Sequence, residues 1–380
     1  MLFSQVKGQS ILKDQIIDLI DNNHFPHAVL FNGKDGYGNL AIALATAQYI
    51  ACSDRNKGKD SCNQCPSCSK YNKLIHPDLH FIFPNTATKK IDKNNESSLF
   101  YTEFRQFVLQ TNAYCSLNAW YEYLGSENKQ GIINVRDANS IISTLSMKTY
   151  ESPYKIMIIW NADKMNQETS DKILKILEEP YPNTVFLLTT EHKDNILPTI
   201  LSRVQQITVP PLDDKTMYEE IRQYDPSLSE QDIQTRIALC EGNYNRIKEI
   251  DSEEEHLKIQ YFIEMNRLAM KYRTKAKDIS LFVDDFSKLT RDQLKSFFDF
   301  FLQTIEKCWL YNNNVRTTIH PLSMMDDKFK NNYPRFITPK NIEKIYKLID
   351  QTTKNIDHNA NAKINIFDMI IKLGYFLENR

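Results

Sequence analysis

At 380 residues and 41% hydrophobic content, the chain can bury a substantial core and is long enough for two or three domains. Its 47 basic and 48 acidic residues leave a net charge of -1, which excludes a whole-molecule electrostatic footprint for nucleic acid, so any DNA contact must come through a local face or a partner. No run approaches the roughly 20 apolar residues needed to span a bilayer, and the opening MLFSQVKGQS lacks a basic-then-apolar leader pattern; the expected location is the cytoplasm, with no membrane partner.

In chain order, the periodicity predicts an amphipathic helix around Ile11 to Ile20, then a short apolar strand, Ala28 to Phe31. The strand runs into Gly33, Gly36 and Gly38, three of nine glycines in the chain, and an alanine-rich helix follows from Ala41 to Ile50. Strand, glycine loop and helix is the order of a phosphate-binding unit. After a cysteine cluster, Leu79 to Phe83 reads as a second strand. Residues 84 to 131 are polar and aromatic without clear period and are expected to be an insertion, partly ordered by Tyr101, Phe104, Phe107, Trp120 and Tyr123.

Regular alternation returns at Ile132: a helix near Ala138 to Met147, a strand from Lys155 to Trp160, a helix through Asp171 to Glu178 and a strand from Thr184 to Thr190. Apolar runs without polar alternation suit buried strands of a parallel sheet flanked by helices, so the fold class expected for residues 1 to 210 is α/β, of P-loop type. Pro210 and Pro211 mark a boundary, because paired prolines disfavour helix before and within them. Beyond them the pattern is helical throughout, predicting a small helical domain at 211 to 252 and an all-α domain at 253 to 380.

Four of the seven cysteines, Cys52, Cys62, Cys65 and Cys68, are spaced C-x9-C-x2-C-x2-C. Each C-x2-C step turns the backbone tightly enough to aim two sulfurs at one point, so the four thiolates of this module, about residues 52 to 68, can enclose a tetrahedral Zn2+. With no open position and no water-activating carboxylate nearby, the zinc would be structural. Arg55, Lys57, Lys59 and Lys70 lie near it, which leaves a zinc-dependent DNA-binding protein as an alternative; the near-neutral charge argues against that.

The loop Gly33 to Leu40 has the frame G-x-x-x-x-G-K-[ST], but Asn39 stands where a lysine would meet the β and γ phosphates, and Leu40 where a hydroxyl would bind Mg2+. Lys34 sits too early in the loop to substitute. A turn that holds no ligand is the favoured reading, and ATP is not expected to bind productively. The strand ending at Trp160 fails in the same direction. Where an ATPase needs two acids, for Mg2+ and for the attacking water, it carries Trp160 and Asn161; Asp163 lies farther on and is expected at a helix start.

The runs Asn161-Ala-Asp-Lys-Met-Asn166, Ile173-Leu-Lys-Ile-Leu-Glu-Glu-Pro180 and Leu197-Pro-Thr-Ile-Leu-Ser-Arg203, with the cysteine module after the loop helix, resemble the bacterial DNA polymerase III clamp-loader AAA+ family. The likeness covers residues 1 to 83 and 132 to about 250; farther on, it rests on helical character and the Asn359-Ala-Asn361 stretch. The resemblance implies a AAA+ core with zinc module, a helical lid and a collar that joins other loader subunits of gamma/tau and delta type. Loss of both ATPase motifs resembles the delta-prime branch, implying a non-catalytic subunit of a DNA polymerase complex that helps load a sliding clamp onto primed DNA. An active gamma/tau-type ATPase is the alternative. The resemblance also implies that Arg203, with Ser202, is inserted in trans into a neighbour's ATP site, although Val204 departs from the family's Ser-Arg-Cys pattern. Thr189 and Thr190 fall at the sensor-1 position and Arg246 near sensor-2, where strand-end hydroxyls and a solvated helix arginine serve as well; the helix carrying Leu174, Leu177, Glu178 and Glu179 reads as packing plus surface charge. The insertion has no counterpart in the resemblance.

Overall fold

A computed structural model describes all residues except 56–58, 88–94, 127–130, 250–252, 314–326, 358–359 and 380. The chain divides into two compact units, the first Met1–Pro226 with Glu241–Arg246, the second Ser227–Cys240 with Ile247–Arg380. The 211 to 252 segment, expected as a small helical domain, is thus shared between them.

The first unit runs α1 (Ser10–Asp21), β1 (Ala28–Asn32), α2 (Asn39–Ala51), α3 (Pro66–Asn72), β2 (Leu79–Ile82), α4 (Tyr101–Gln110), α5 (Leu117–Tyr123), α6 (Val135–Ser146), β3 (Lys155–Ile159), α7 (Gln167–Glu178), β4 (Thr184–Thr190), α8 (Pro198–Leu201), β5 (Gln205–Thr208) and α9 (Asp214–Tyr224). Its five strands form one parallel sheet in the order β2-β3-β4-β1-β5. Side chains alternate across a strand, and both faces of the central strands are covered, which is why β1, β3 and β4 are largely apolar. Val29, Phe31, Ile156, Ile158, Val185 and Leu187 pack on the face covered by α1, α2, α4 and α5. Leu30, Met157, Ile159, Phe186 and Leu188 pack on the opposite face, beneath α6, α7 and α8. α2 is buried along its length from Leu40 to Ala51, so its alanines let it lie close to the sheet.

Two features depart from the sequence reading. β5, whose sequence Gln-Gln-Ile-Thr carries no apolar run, is an edge strand that pairs only with β1, and this places β1 in the interior of the sheet. The insertion is no appendage: within it, Phe100, Phe104, Phe107, Val108, Trp120 and Tyr121 are buried in the same cluster as the strands. The Phe83 and Phe104 rings stack at 3.9 Å, Trp120 meets both edge-on, and its indole N–H donates to the Pro84 carbonyl at 2.9 Å. Asp137, at the start of α6, anchors the segment by accepting from the Ser97 amide at 2.6 Å and the Asn134 amide at 2.9 Å.

The second unit is helical: α10 (Glu230–Cys240), α11 (Arg246–Glu249, whose first residue belongs to the first unit), α12 (Glu253–Ala269), α13 (Ala276–Phe286), α14 (Arg291–Asn312), α15 (Asp327–Asn332), α16 (Ile342–Asp357) and α17 (Ala362–Glu378). Phenylalanines from α12, α13 and α14, among them Phe262, Phe286 and Phe297, fill its core. Gly374 lets α17 meet α12 closely, since a Cβ there would stand 2.2 Å from the Ala269 carbonyl oxygen. Tyr333 donates its hydroxyl to Asn266 Oδ1 at 2.7 Å, which pairs two polar groups buried in this core. Among the described residues no helix is long and apolar enough to cross a membrane.

Candidate functional site

The glycine loop follows β1 at the carboxyl end of the sheet. Gly33 donates its amide to the Thr190 carbonyl at 3.1 Å, and Asn39, at the first turn of α2, turns its side chain back across the loop to donate to the Gly33 carbonyl and, at 3.4 Å, to that of Thr190. Where a lysine would extend outward, the asparagine staples the loop to β4. Gly36 has φ +71°, a left-handed conformation that favours glycine; a Cβ there would fall 1.7 Å from Asn243 Oδ1. The Gly36 carbonyl accepts from the Tyr244 amide at 3.1 Å, and Asn245 donates to Asp35 at 2.9 Å. Gly38, at φ +95°, abuts the Tyr114 ring of the insertion; the Tyr114 hydroxyl accepts from the Lys7 amide at 2.8 Å.

The cleft beside this loop encloses about 300 Å³, part of it open solvent, and is walled by Tyr114, Cys115 and Trp160 as well as by the loop. Trp160 is buried against Phe104, 5.6 Å between rings. Asn161 is buried in a left-handed conformation (φ +53°); its amide donates to Thr189 Oγ1 at 3.1 Å, and its Nδ2 meets no acceptor among the described residues. Asp163 sits in the first turn of a short 3-10 helix, Ala162–Lys164, and accepts from Thr190 Oγ1 at 2.8 Å and from Lys164 at 3.1 Å. Both threonines are therefore engaged within the fold. Arg246 is not among the residues lining the cleft.

The titratable side chains that line this cleft are mostly acidic. Asp35 and Glu191 line it, while its one lysine, Lys34, is exposed. Burial pushes the Glu191 carboxyl up to about 7, and the nearby Asp35 and Asp163 add to the shift. Burial likewise raises Asp35, against the opposing pull of its hydrogen bonds from Gly36 and Asn245. Both carboxyls already resist ionising, and Lys164, paired with Asp163 at 3.1 Å, offsets the Glu191 shift only in part.

Arg203 lies at the other end of the sheet. It precedes β5, whose Gln205 pairs with Val29 near the start of β1, whereas the loop follows β1. The length of β1, five residues or about 16 Å at the rise of a strand, separates the two edges. Arg203 is about one-third exposed. Its Nη2 pairs with Glu178 Oε1 at 2.6 Å, and its Nη1 donates to the Thr199 carbonyl at 2.9 Å and to Ser202 Oγ at 3.1 Å.

The four cysteines do converge. The sulfurs of Cys52, Cys62, Cys65 and Cys68 lie within 4.8 Å of one another, and Cys62 and Cys68 are 3.9 Å apart. Tetrahedral zinc with bonds of about 2.3 Å spaces its sulfurs by about 3.8 Å. Amides donate to three of them: Cys62 to Cys52 Sγ at 3.3 Å, Cys65 to Cys62 Sγ at 3.3 Å and Cys68 to Cys65 Sγ at 3.4 Å. Such donors stabilise thiolates, so the cluster fits a structural zinc ion. Asp60, inside the module, accepts from the Phe3 and Ser4 amides at 3.0 and 2.9 Å and ties it to the start of the chain.

Sequence reasoning placed the loop, the cysteines and Arg203, but missed Tyr114, Cys115, Glu191, Asn243 and the role of Glu178. Apart from Glu178, which lies in the Ile173 to Pro180 run, nothing local marks these residues; they meet neighbours distant in sequence.

A family model described as "DNA polymerase III, delta subunit" matches residues 8–213. The subunit delta' of DNA polymerase III from Bacillus subtilis is 28% identical over 209 residues, covering 55% of this chain and 49% of that protein. The corresponding delta' subunit from Haemophilus influenzae is 25% identical over 228 residues, 60% of this chain and 56% of that protein. The gamma/tau subunit from Mycoplasma pneumoniae is 25% identical over 203 residues, 53% of this chain and 23% of that protein. The chain spans about half the length of the delta' relatives it matches.

Proposed function

Because the chain belongs to the clamp-loader delta-prime family of DNA polymerase III, we propose that it is a nucleotide-silent subunit of a bacterial clamp loader that supplies Arg203 to the ATP site of a neighbouring subunit. In this reading it joins gamma/tau-type and delta-type subunits in the cytoplasm, and the assembled complex places a sliding clamp on primed DNA. Residues 1 to 210 form the AAA+ core, 211 to 252 the lid and 253 to 380 the collar. The cysteine cluster holds one structural Zn2+, which fixes the 52 to 68 segment against α2 and contributes no chemistry.

The observation that carries the silent half is the state of the glycine loop. Asn39 staples it shut, Tyr114 and Trp160 wall the cleft, and Asp35 and Glu191 oppose phosphate. The observation that supports the trans half is position: Arg203 stands at the strand ends opposite to its own loop, so an ATP site it completes belongs to another subunit. A planar, permanently charged guanidinium there suits the charge that develops on a transferred phosphoryl group.

Titrating the isolated chain with Mg-ATP by calorimetry should show no binding up to about 1 mM, about 4 kcal/mol on the affinity scale. In the reconstituted loader, Arg203→Ala should leave assembly intact and lower ATP hydrolysis by about 10³-fold. Tight Mg-ATP binding by the isolated chain contradicts silence, and an undiminished rate contradicts the finger. Metal analysis is expected to find one zinc per chain.

A further inference from the structure

An exposed arginine taken alone is a poor finger, because its long side chain samples many rotamers and loses that freedom on each encounter. Arg203 is held differently. Its guanidinium is gripped by three acceptors from two elements: Glu178 Oε1 at the end of α7 on Nη2, and the Thr199 carbonyl and Ser202 Oγ at the end of α8 on Nη1. The Ser202 hydroxyl is itself fixed, donating to the Thr199 carbonyl at 2.9 Å. A guanidinium carries five N–H donors, two on each terminal nitrogen and one on Nε. The three contacts leave Nε–H and the second Nη2 hydrogen without an acceptor among the described residues. All five lie in the guanidinium plane, so the two that remain can still donate to an anion placed in that plane.

We propose that Glu178 is a positioning residue for Arg203, holding the guanidinium over the end of α8 so that its remaining donors are presented, already oriented, to an anion outside this chain. The ligand class is the terminal phosphoryl group of a nucleoside triphosphate bound to a neighbouring subunit, so this inference rests on the proposed trans role of Arg203. Glu178 does not touch that phosphate. It fixes the planar fork, and it belongs to the Leu-Glu-Glu-Pro run whose acids otherwise read as plain surface charge. The pair is about 36% and 43% exposed, so its contribution to folding is small and its loss should register in the reaction of the assembly.

The test is steady-state ATP hydrolysis by the reconstituted loader carrying Glu178→Ala, Glu178→Gln, Arg203→Ala or the double variant Glu178→Ala/Arg203→Ala. Glu178→Ala is expected to lower kcat by about 10-fold to 100-fold with KM unchanged, since misplacement of a positioned group acts on the transition state. Glu178→Gln keeps an acceptor oxygen and should recover most of that loss. The double variant should be no slower than Arg203→Ala, because the carboxylate acts only through the arginine. A normal kcat for Glu178→Ala beside an impaired Arg203→Ala overturns the positioning role and leaves the finger standing. Independent, multiplicative losses in the double variant, or a loss confined to KM, overturn it as well. An undiminished Arg203→Ala removes the finger itself and this inference with it.

Discussion

The two ends of the sheet hold ionisable side chains in opposite ways. At the carboxyl end Asp35 and Glu191 line a cleft walled on one side by Tyr114 and Cys115 of the insertion, and burial raises both of their pKa values. At the amino end Arg203 and Glu178 stay partly in water, paired with each other and with one turn of helix. The first arrangement strains charge to make a rigid wall. The second leaves charge available. A nucleotide site needs the opposite at the loop, namely fixed cations and open space, and this contrast is what the proposed division of roles between the two ends rests on.

That contrast predicts which substitutions are felt in folding and which only in function. The largest effect on stability is expected from Trp120→Ala, in the wall beneath the cleft. Trp120 is fully buried among Phe83, Phe104 and Phe107, and its removal should cost about 4 kcal/mol in urea unfolding of the full chain. A change below about 1 kcal/mol would return the 84 to 131 segment to the status of an appendage. Next comes Gly36→Ala, which forces a side chain into a left-handed backbone position against Asn243; a loss of about 2 kcal/mol is expected.

Glu191→Gln should act through pH. The folded-state carboxyl titrates near 7 against an ordinary value of 4.5, so between those values the folded chain holds a proton that the unfolded chain has released. Stability from this group therefore falls as pH rises from about 4.5 through 7. Removing the charge should raise stability at pH 8 by on the order of 1 to 3 kcal/mol and leave it unchanged near pH 4. Thermal melts at the two pH values check the sign; an equal shift at both would mean the carboxyl is not strained. The smallest effect on folding belongs to the amino end, where Arg203→Ala should move stability by less than about 1 kcal/mol, the worth of an exposed ion pair. A larger loss would show that the arginine serves the fold.

How far the site could be read ahead of the structure follows from the range of each signal. The cysteine cluster was legible because its ligands lie within 17 residues and their spacing is a local geometric constraint. Asn39, Leu40, Trp160 and Asn161 were legible as absences, each measured against the residue that phosphate or Mg2+ chemistry demands at that offset. β1, β3 and β4 announced themselves as unbroken apolar runs, whereas β5 did not: an edge strand buries so little that Gln205 and Gln206 are tolerated. The insertion hid for a different reason. Around α4 the buried Phe100, Phe104, Phe107 and Val108 do fall at helical spacing, but α4 and α5 are short and set in a polar stretch, so the period was easy to miss.

By itself, then, the sequence determined the α/β core followed by helices, the grouping of four thiols at a spacing that suits zinc, and the departures from the P-loop ATPase motifs. Those features depend on residue type and on spacing within one element or loop. Only the tertiary structure decided that Tyr114 closes the glycine loop, that Glu191 is strained, and that Arg203 stands about one strand length from that loop in the grip of Glu178 and Thr199. Desolvation and hydrogen-bond geometry depend on which distant segments meet, and that is settled by packing rather than by order along the chain.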